Sequence, residues 1–398
     1  MSSADGNVRA NVWLLAGCQA SLFTINSTLI AVNGLAGLAL APLAVLATLP
    51  VTAWVVGAAL TTMAASLHMQ RVGRRTGLVH GAAIGIVAAF VCAAAVWLGS
   101  FWLLCFGAFV YGASNAFGQY YRFAAADAAP PEFRSRAVSY VLAGGLVGGI
   151  LGPTLSRWTV DLLAPRFAGA YLALALAGLA AIALVSRVRI PHAPASAGAP
   201  AGRPLREIAR APKFVVAVAC GAIGYGVMNF LMTSTPIAMG ACGHPYGDAA
   251  FVISSHVVAM FAPSFFTGAL IARFGVLAVL AAGAALNVAA VATALAGVSV
   301  AHFWVALVLL GVGWNFLYIG GTTLLLETYR PEERARAQGA NETAIFCMMA
   351  LSSFFSGFLV THAGWEKLNL AALPLLAVVV AALVWLAVLE RAPRARGA

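Results

Sequence analysis

The amino-acid sequence predicts an all-α polytopic membrane protein with twelve transmembrane helices arranged as two six-helix bundles. Hydrophobic residues make up 62% of the 398 positions and charged residues only 9%, whereas a soluble domain has about 25% charged residues. Apolar runs of about 20 residues, the length that crosses a bilayer, recur along the chain. A short loop motif also recurs about 200 residues later, which indicates that the two halves are related.

The predicted spans follow one another in two groups of six. Residues 187–212 are rich in Pro, Ala, Gly and Arg, a composition typical of a linker. This cytoplasmic linker is expected to separate an N-terminal bundle, residues 1–186, from a C-terminal bundle, residues 213–398. The spans are predicted at about 11–33, 42–66, 77–98, 101–126, 137–160, 168–186, 213–238, 248–272, 275–298, 302–326, 337–361 and 369–390.

Lysine and arginine residues set the predicted orientation. All 23 of them except Arg157, Arg166 and Lys367 fall on one side of the predicted topology. Because cytoplasmic loops carry the excess of positive charge, both termini are predicted to be cytoplasmic in a multi-pass protein of the bacterial inner (cytoplasmic) membrane. The formal charge of +11 then needs no nucleic-acid partner, and we expect a monomer in the lipid bilayer.

The internal repeat lies in two loops. Residues 131–137 read Pro-Glu-Phe-Arg-Ser-Arg-Ala, and residues 331–337 read Pro-Glu-Glu-Arg-Ala-Arg-Ala. Ser66 and the loop 70–75, Gln-Arg-Val-Gly-Arg-Arg, resemble the signature between helices 2 and 3 of the major facilitator superfamily. The resemblance implies parallel six-helix repeats and a transporter that works by alternating access, not an enzyme. An acid usually stands where Gln70 stands here, whereas the arginines can still pair with Asp127.

Small and charged residues inside the predicted spans are further candidates for a role. Gly144, Gly148 and Gly152 form a stripe that is predicted to pack closely against the eighth span. Arg122, near the inner end of the fourth span, is expected to extend toward the membrane interface. Glu342 is expected to act as a cytoplasmic gate or as a cap of the eleventh helix.

The seventh and eighth spans each carry a pair of potential soft-metal ligands. Met228 and Met232 are four residues apart, as are His256 and Met260, so each pair lies on one helix face. The short turn at 241–247 makes the spans antiparallel and puts Met232 level with His256, and Met228 level with Met260. Thioether and imidazole donors suit copper, although methionine pairs at this spacing also occur as ordinary packing.

These four residues resemble the copper-translocating signature of the CcoA-type copper importers within the same superfamily. The resemblance implies that Met228, Met232, His256 and Met260 bind copper as a transported substrate, without any cofactor. It implies inward transport for the assembly of a cbb-type cytochrome c oxidase, and periplasmic or cytoplasmic copper chaperones as partners.

Two other functions remain open from the sequence. One is a proton-linked exporter of small organic molecules, in which the methionines line an adaptable apolar pocket. No carboxylate is predicted near the middle of a span, which argues against a standard exporter of that kind. The other is a membrane copper sensor or chaperone that binds without transport. Cys220 and Cys242 are weaker candidates for ligands along a copper path.

Overall fold

A computed structural model describes residues 3–43, 46, 49–190 and 202–391. Fourteen α-helices and short 3₁₀ turns form this part of the chain, with no β-strand among the described residues. The predicted all-α fold is therefore confirmed. The helices are α1 (Ser3–Leu40), α2 (Leu49–Val72), α3 (Arg74–Trp97), α4 (Phe101–Gly118), α5 (Tyr121–Ala128), α6 (Arg134–Thr159), α7 (Ala168–Val185), α8 (Leu205–Ile208), α9 (Pro212–Ala241), α10 (Tyr246–Phe261), α11 (Ser264–Phe274), α12 (Val276–Ala296), α13 (Val300–Leu325) and α14 (Arg334–Arg391).

Ten helical stretches of the described residues are long and apolar enough to cross a membrane, or eleven if α10 and α11 form one bent span. The 42° bend between them falls at Pro263, because proline lacks a backbone N–H and crowds the preceding turn. α14 has 58 residues, enough for two crossings, and is interrupted at Gly364, whose φ is 82°. With α14 taken as two crossings, the helices correspond to the twelve predicted spans.

The chain forms two compact units. The first comprises Met1–Pro200 together with Gln338–Thr343, and the second comprises Ala201–Ala337 and Ala344–Ala398. In the first unit, α1 packs along α6, and α2 packs along α4. In the second unit, α13 is the central helix and packs against α9, α10 and α12.

The glycine stripe of α6 belongs to the contact with α1. A Cβ atom on Gly144 or Gly148 would collide with the backbone carbonyl of Ala16 or Ala20, and the nearest neighbours of Gly152 also lie in α1. The stripe therefore permits close helix packing, as predicted. The prediction that the eighth span is the partner is wrong, because the atoms nearest to all three glycines belong to α1.

Hydrogen bonds connect the end of the predicted linker to the second copy of the repeated loop, residues 331–337. Arg203 donates two hydrogen bonds to the carboxylate of Glu333, from Nε to Oε1 at 2.8 Å and from Nη2 to Oε2 at 2.8 Å. Arg336 donates to the carbonyl oxygens of Gly202 and Arg203 at 3.4 and 3.2 Å. We call Gly202, Arg203, Glu333 and Arg336 the linker clamp. Linker residues 191–201 lie outside the described residues.

Candidate functional site

His256 is the predicted ligand whose surroundings are defined most fully. Its side chain is buried in α10, and Nδ1 lies 2.7 Å from the carbonyl oxygen of Leu307 in α13. A carbonyl oxygen only accepts hydrogen bonds, so Nδ1 carries the proton and Nε2 keeps a lone pair. Nε2 is buried and has no hydrogen-bond partner. Metal-binding imidazoles commonly have this arrangement, with one nitrogen fixed by a backbone carbonyl and the other directed at the metal.

Met260 lies one turn after His256, just before the bend at Pro263. Its carbonyl oxygen accepts a hydrogen bond of 2.7 Å from Asn315 Nδ2. Asn315 also donates to Ser264 Oγ at 2.6 Å and accepts from Thr267 Oγ1 at 2.7 Å. Because a proline bend leaves backbone groups without their usual helical partners, the side chain of Asn315 supplies replacements. The bend and the last predicted ligand are thus held by one buried amide.

Met228 lies on the face of α9 that packs against α13. Gly224, one turn before it, contacts Leu317, and Leu231, one turn after it, lines a small cavity with Leu310. Residues at this spacing share one helix face. Met228, which is buried, therefore lies on the face of α9 that is directed at α13.

The two motifs lie on helices that both pack against α13. The backbones of His256 and Met260 both lie against Gly311 of α13, within two turns of Leu317, which lies against Gly224 of α9. Met232 is half-buried and lies one turn further along α9, toward the level of His256. The pairing of the four residues in two layers stays a prediction. The sequence analysis treated the two spans alone and missed α13, against which each packs more extensively than against the other.

An aromatic cluster lies beside these residues in the second unit. The ring of Trp314 contacts Tyr225, Phe261 and Tyr318, with centroid distances of 5.4, 5.7 and 4.9 Å. Trp314 Nε1 is buried and has no hydrogen-bond partner. The sequence analysis missed this cluster, because its members come from α9, α10 and α13. The only local signal is the four-residue spacing of Trp314 and Tyr318 in a glycine-rich helix.

The weaker sulfur candidates lie at different depths of α9. Cys220 is buried beside Gly321 of α13, and Cys242 is exposed at the C-terminal end of the helix. No group of three or more His, Cys, Asp and Glu side chains that could hold a metal occurs within the described part of the chain. The predicted copper site, which consists of three methionines and His256, stays a prediction.

A buried ion pair lies in the first unit. Arg122 Nη2 is 2.5 Å from Glu342 Oε1, and both side chains are 1% exposed. Asn341 Nδ2 donates to the same carboxylate oxygen at 2.7 Å. The expectation that Arg122 extends to the interface is wrong, because Glu342 neutralises its charge within the protein. Glu342 also lies inside α14 and does not cap it.

One arginine of the loop between α2 and α3, Arg74, pairs with Asp127 as predicted. Arg74 Nε donates to Asp127 Oδ2 at 3.1 Å, and Arg74 Nη2 also donates to the side-chain oxygen of Gln338. The acid that is missing at Gln70 is thus not required for this arginine to be paired.

The sequence matches a protein-family model that agrees with this architecture. Residues 12–262 and 222–398 match the model of the Major Facilitator Superfamily. The chain belongs to the Major Facilitator Superfamily. It is therefore a membrane transporter of this type and not an enzyme, and the superfamily resemblance read from its loops is confirmed.

Two bacterial members of the superfamily are similar along most of their length. The riboflavin transporter RfnT of Brucella anthropi is 41% identical over 379 residues, covering 94% of this chain and 95% of the relative. The uncharacterized MFS-type transporter YddS of Bacillus subtilis is 29% identical over 355 residues, covering 85% and 81%. Of these two relatives, RfnT has a name that states a substrate, and that substrate is riboflavin. Membership of the copper-importing family therefore stays a prediction.

Solved superfamily structures share the fold at low sequence identity. The transporter FucP in its outward conformation has a TM-score of 0.76 at 17% identity, covering 94% of this chain and 98% of FucP. The human organic anion transporter MFSD10 has a TM-score of 0.77 at 14% identity, covering 96% and 100%. At such identities the likeness concerns the fold alone.

Proposed function

We propose that this chain transports riboflavin, or a compound with the same kind of planar heteroaromatic ring, across the bacterial cytoplasmic membrane. The observation that carries the proposal is the 41% identity with a riboflavin transporter over nearly the full length of both chains. The matched stretch covers 94% of this chain, so it includes most of its membrane-spanning helices.

The aromatic cluster supports this choice of substrate. Aromatic rings interact with one another in offset-stacked or edge-to-face geometry, and a flavin ring offers a large face for such contacts. Tyr225 is half-buried, whereas Trp314, Tyr318 and Phe261 are at most 3% exposed. Tyr225 is therefore the member that an incoming ring would contact, with Trp314 as rigid support behind it.

Uptake of radiolabelled riboflavin by bacterial cells that cannot synthesise it tests the proposal. Cells expressing the chain should accumulate the label above the level of cells with an empty vector. Tyr225→Ala should lower uptake at equal protein level, because it removes the accessible ring. Trp304→Ala is the matched control, since Trp304 stacks on Phe251 outside the cluster and is 39% exposed. Absence of riboflavin transport in either direction would overturn riboflavin as the substrate.

Copper import is the second candidate, and the free lone pair on buried His256 Nε2 favours it. A neutral imidazole and the thioethers of Met228, Met232 and Met260 form a donor set that suits Cu(I). In this alternative the four residues bind copper during inward transport, with copper chaperones as partners on either side of the membrane.

Single substitutions separate copper from riboflavin. Met228→Ile and Met232→Ile keep volume and apolarity, so each should cost less than about 1.5 kcal/mol of stability. If copper is the substrate, uptake of radioactive copper should collapse in both variants while the protein level stays normal. If riboflavin is the substrate, wild-type cells should show riboflavin uptake and no copper uptake above the vector control. Normal copper uptake in both variants would remove the methionines from the site.

The direction of flux separates import from the exporter function. In inside-out membrane vesicles an importer should release preloaded riboflavin or copper, whereas an exporter should accumulate it against a gradient. Neither relative carries a name that favours export. Membership of a transporter family also favours flux over a sensor that only binds.

A further inference from the structure

A pair of histidines lies outside the candidate transport site, at the hairpin of α2 and α3. His68 Nε2 is 2.9 Å from His80 Nδ1, and the two ring centroids are 5.2 Å apart. The helices turn back on each other at Gly73, whose φ is 89°. His68 is half-buried and His80 is exposed. The rings of His68 and Phe117 contact each other in edge-to-face geometry, with centroids 6.0 Å apart.

We propose that His68 and His80 form a binding site for one transition-metal ion of the zinc type. Imidazole is the commonest protein ligand of such ions. Two Zn–N bonds of about 2.0–2.1 Å at a tetrahedral angle require nitrogens about 3.3 Å apart. Since the present separation is 2.9 Å, the rings need to part by a few tenths of an ångström, and each must rotate by roughly 35° so that the two lone pairs converge on the ion. The exposure of His80 leaves room for water molecules as the remaining ligands.

Zinc binding shifts one proton between the two nitrogens of one imidazole and removes no proton from either ring. In the N–H···N hydrogen bond between the rings, one imidazole donates and the other accepts. When the ion enters, the donating ring moves that proton to its other nitrogen, so both facing nitrogens present lone pairs. Both imidazoles stay neutral, and no redox step is needed.

Neighbouring charges limit the expected affinity. Arg71 and Arg75 are exposed and close in sequence to the pair, so they repel a divalent cation. Salt screens exposed charges over about 8 Å at physiological ionic strength, which reduces this repulsion without abolishing it. With two protein ligands, the site should bind zinc more weakly than a site with four. The proposed zinc site does not depend on which substrate the protein transports.

Zinc is the appropriate probe because it is bound by histidine, cysteine and carboxylates and not by methionine thioethers. The experiment uses the purified full-length protein in detergent, without a polyhistidine tag, and titrates Zn²⁺ while recording bound zinc and the thermal midpoint. A metal that binds only the folded state raises that midpoint. Wild type should bind zinc at this site, whereas His68→Gln and His80→Gln should each lower the affinity at least tenfold.

Two control variants test whether zinc binds elsewhere. His302→Gln removes a histidine that contacts Ser299 Oγ through Nδ1 at 2.6 Å, and Cys242→Ser removes an exposed thiol. Both should retain the wild-type affinity. If His68→Gln lowers the midpoint without zinc, His80→Gln decides, since its side chain is exposed. Wild-type zinc affinity in His80→Gln, or no zinc binding by the wild type, would overturn the proposal.

Discussion

Arg122 and Glu342 stabilise each other because neither charge reaches water. Glu342→Gln keeps the shape of the side chain but leaves Arg122 buried without a counter-charge. Breaking a buried pair in this way costs about 3–5 kcal/mol. We therefore expect a large fall in the stability of the purified protein in detergent, measured as the thermal midpoint.

An exposed ion pair in the same unit provides the control. Arg166 and Asp161 lie 2.9 Å apart, with side chains 63% and 69% exposed. Asp161→Asn should change stability by at most about 1 kcal/mol, because water screens such pairs. Equal effects of Asp161→Asn and Glu342→Gln would mean that water reaches Arg122. The double variant Arg122→Met with Glu342→Met should recover much of the loss, since it leaves no buried charge.

Asn315 is expected to be another sensitive position. Asn315→Leu leaves the buried carbonyl oxygen of Met260 without this donor and removes one hydrogen bond each from Ser264 and Thr267. A buried polar group left unsatisfied costs about 1–3 kcal/mol. The control is Thr293→Val, because Thr293 is only partly buried and its hydroxyl donates within its own helix. Thermal midpoints of the two variants should differ clearly. A midpoint for Asn315→Leu as high as that for Thr293→Val would show that water or backbone rearrangement replaces the amide.

These residues mark the limit of what could be predicted from the sequence. The methionine and histidine motifs were visible because their members are four residues apart on one helix. The pairing of Arg122 was not visible, because its partner is 220 residues away. Asn315 looked like any polar residue in an apolar span until the bend at Pro263 gave it partners. Local spacing reveals helix faces, whereas contacts between distant helices require the fold.

Helix packing in the first unit depends on where glycine is placed, and two glycines allow a matched test. Gly148 in α6 lies against the backbone of α1, whereas Gly34 in α1 has no atom within 4 Å of where its Cβ would be. In a helix, alanine is favoured over glycine by about 0.5–1 kcal/mol. Gly34→Ala should therefore be neutral or stabilising, and Gly148→Ala should destabilise, as recorded by thermal midpoints. A stabilised Gly148→Ala protein would contradict the close contact.

The helices themselves were largely predictable, because apolar runs of membrane length are their direct cause. The bend between α10 and α11 was not predicted, because the hydrophobic pattern continues through it, although Pro263 is a signal for a kink in the sequence. The predicted partner helix of the glycine stripe was also incorrect. Such a stripe shows that another backbone approaches closely but does not show which helix it belongs to. Element type therefore followed from the sequence, whereas helix geometry and pairing required the structure.

The two sequence repeats are not equivalent in the complete molecule. The first copy has Phe133 where the second has Glu333, and only Glu333 can bind the guanidinium of Arg203. Its side chain is fully buried in the linker clamp, and the hydrogen bond and charge of Glu333 raise the pKa of Arg203. One substitution within a duplicated loop thus gives the second copy a contact with the linker.

Glu333→Gln is expected to release this end of the linker. The amide cannot accept two hydrogen bonds from Arg203 as the carboxylate does, so residues around α8 should open locally more often. Limited trypsin digestion reports such opening, because proteases cleave locally unfolded segments. Arg203 precedes Pro204 and resists trypsin, so cleavage after exposed Arg206 is the readout. It should become several-fold faster in Glu333→Gln. The control is Glu327→Gln, which removes the exposed partner of Lys213 and should leave the rate unchanged. Equal cleavage rates in wild type and Glu333→Gln would show that the clamp does not hold the linker.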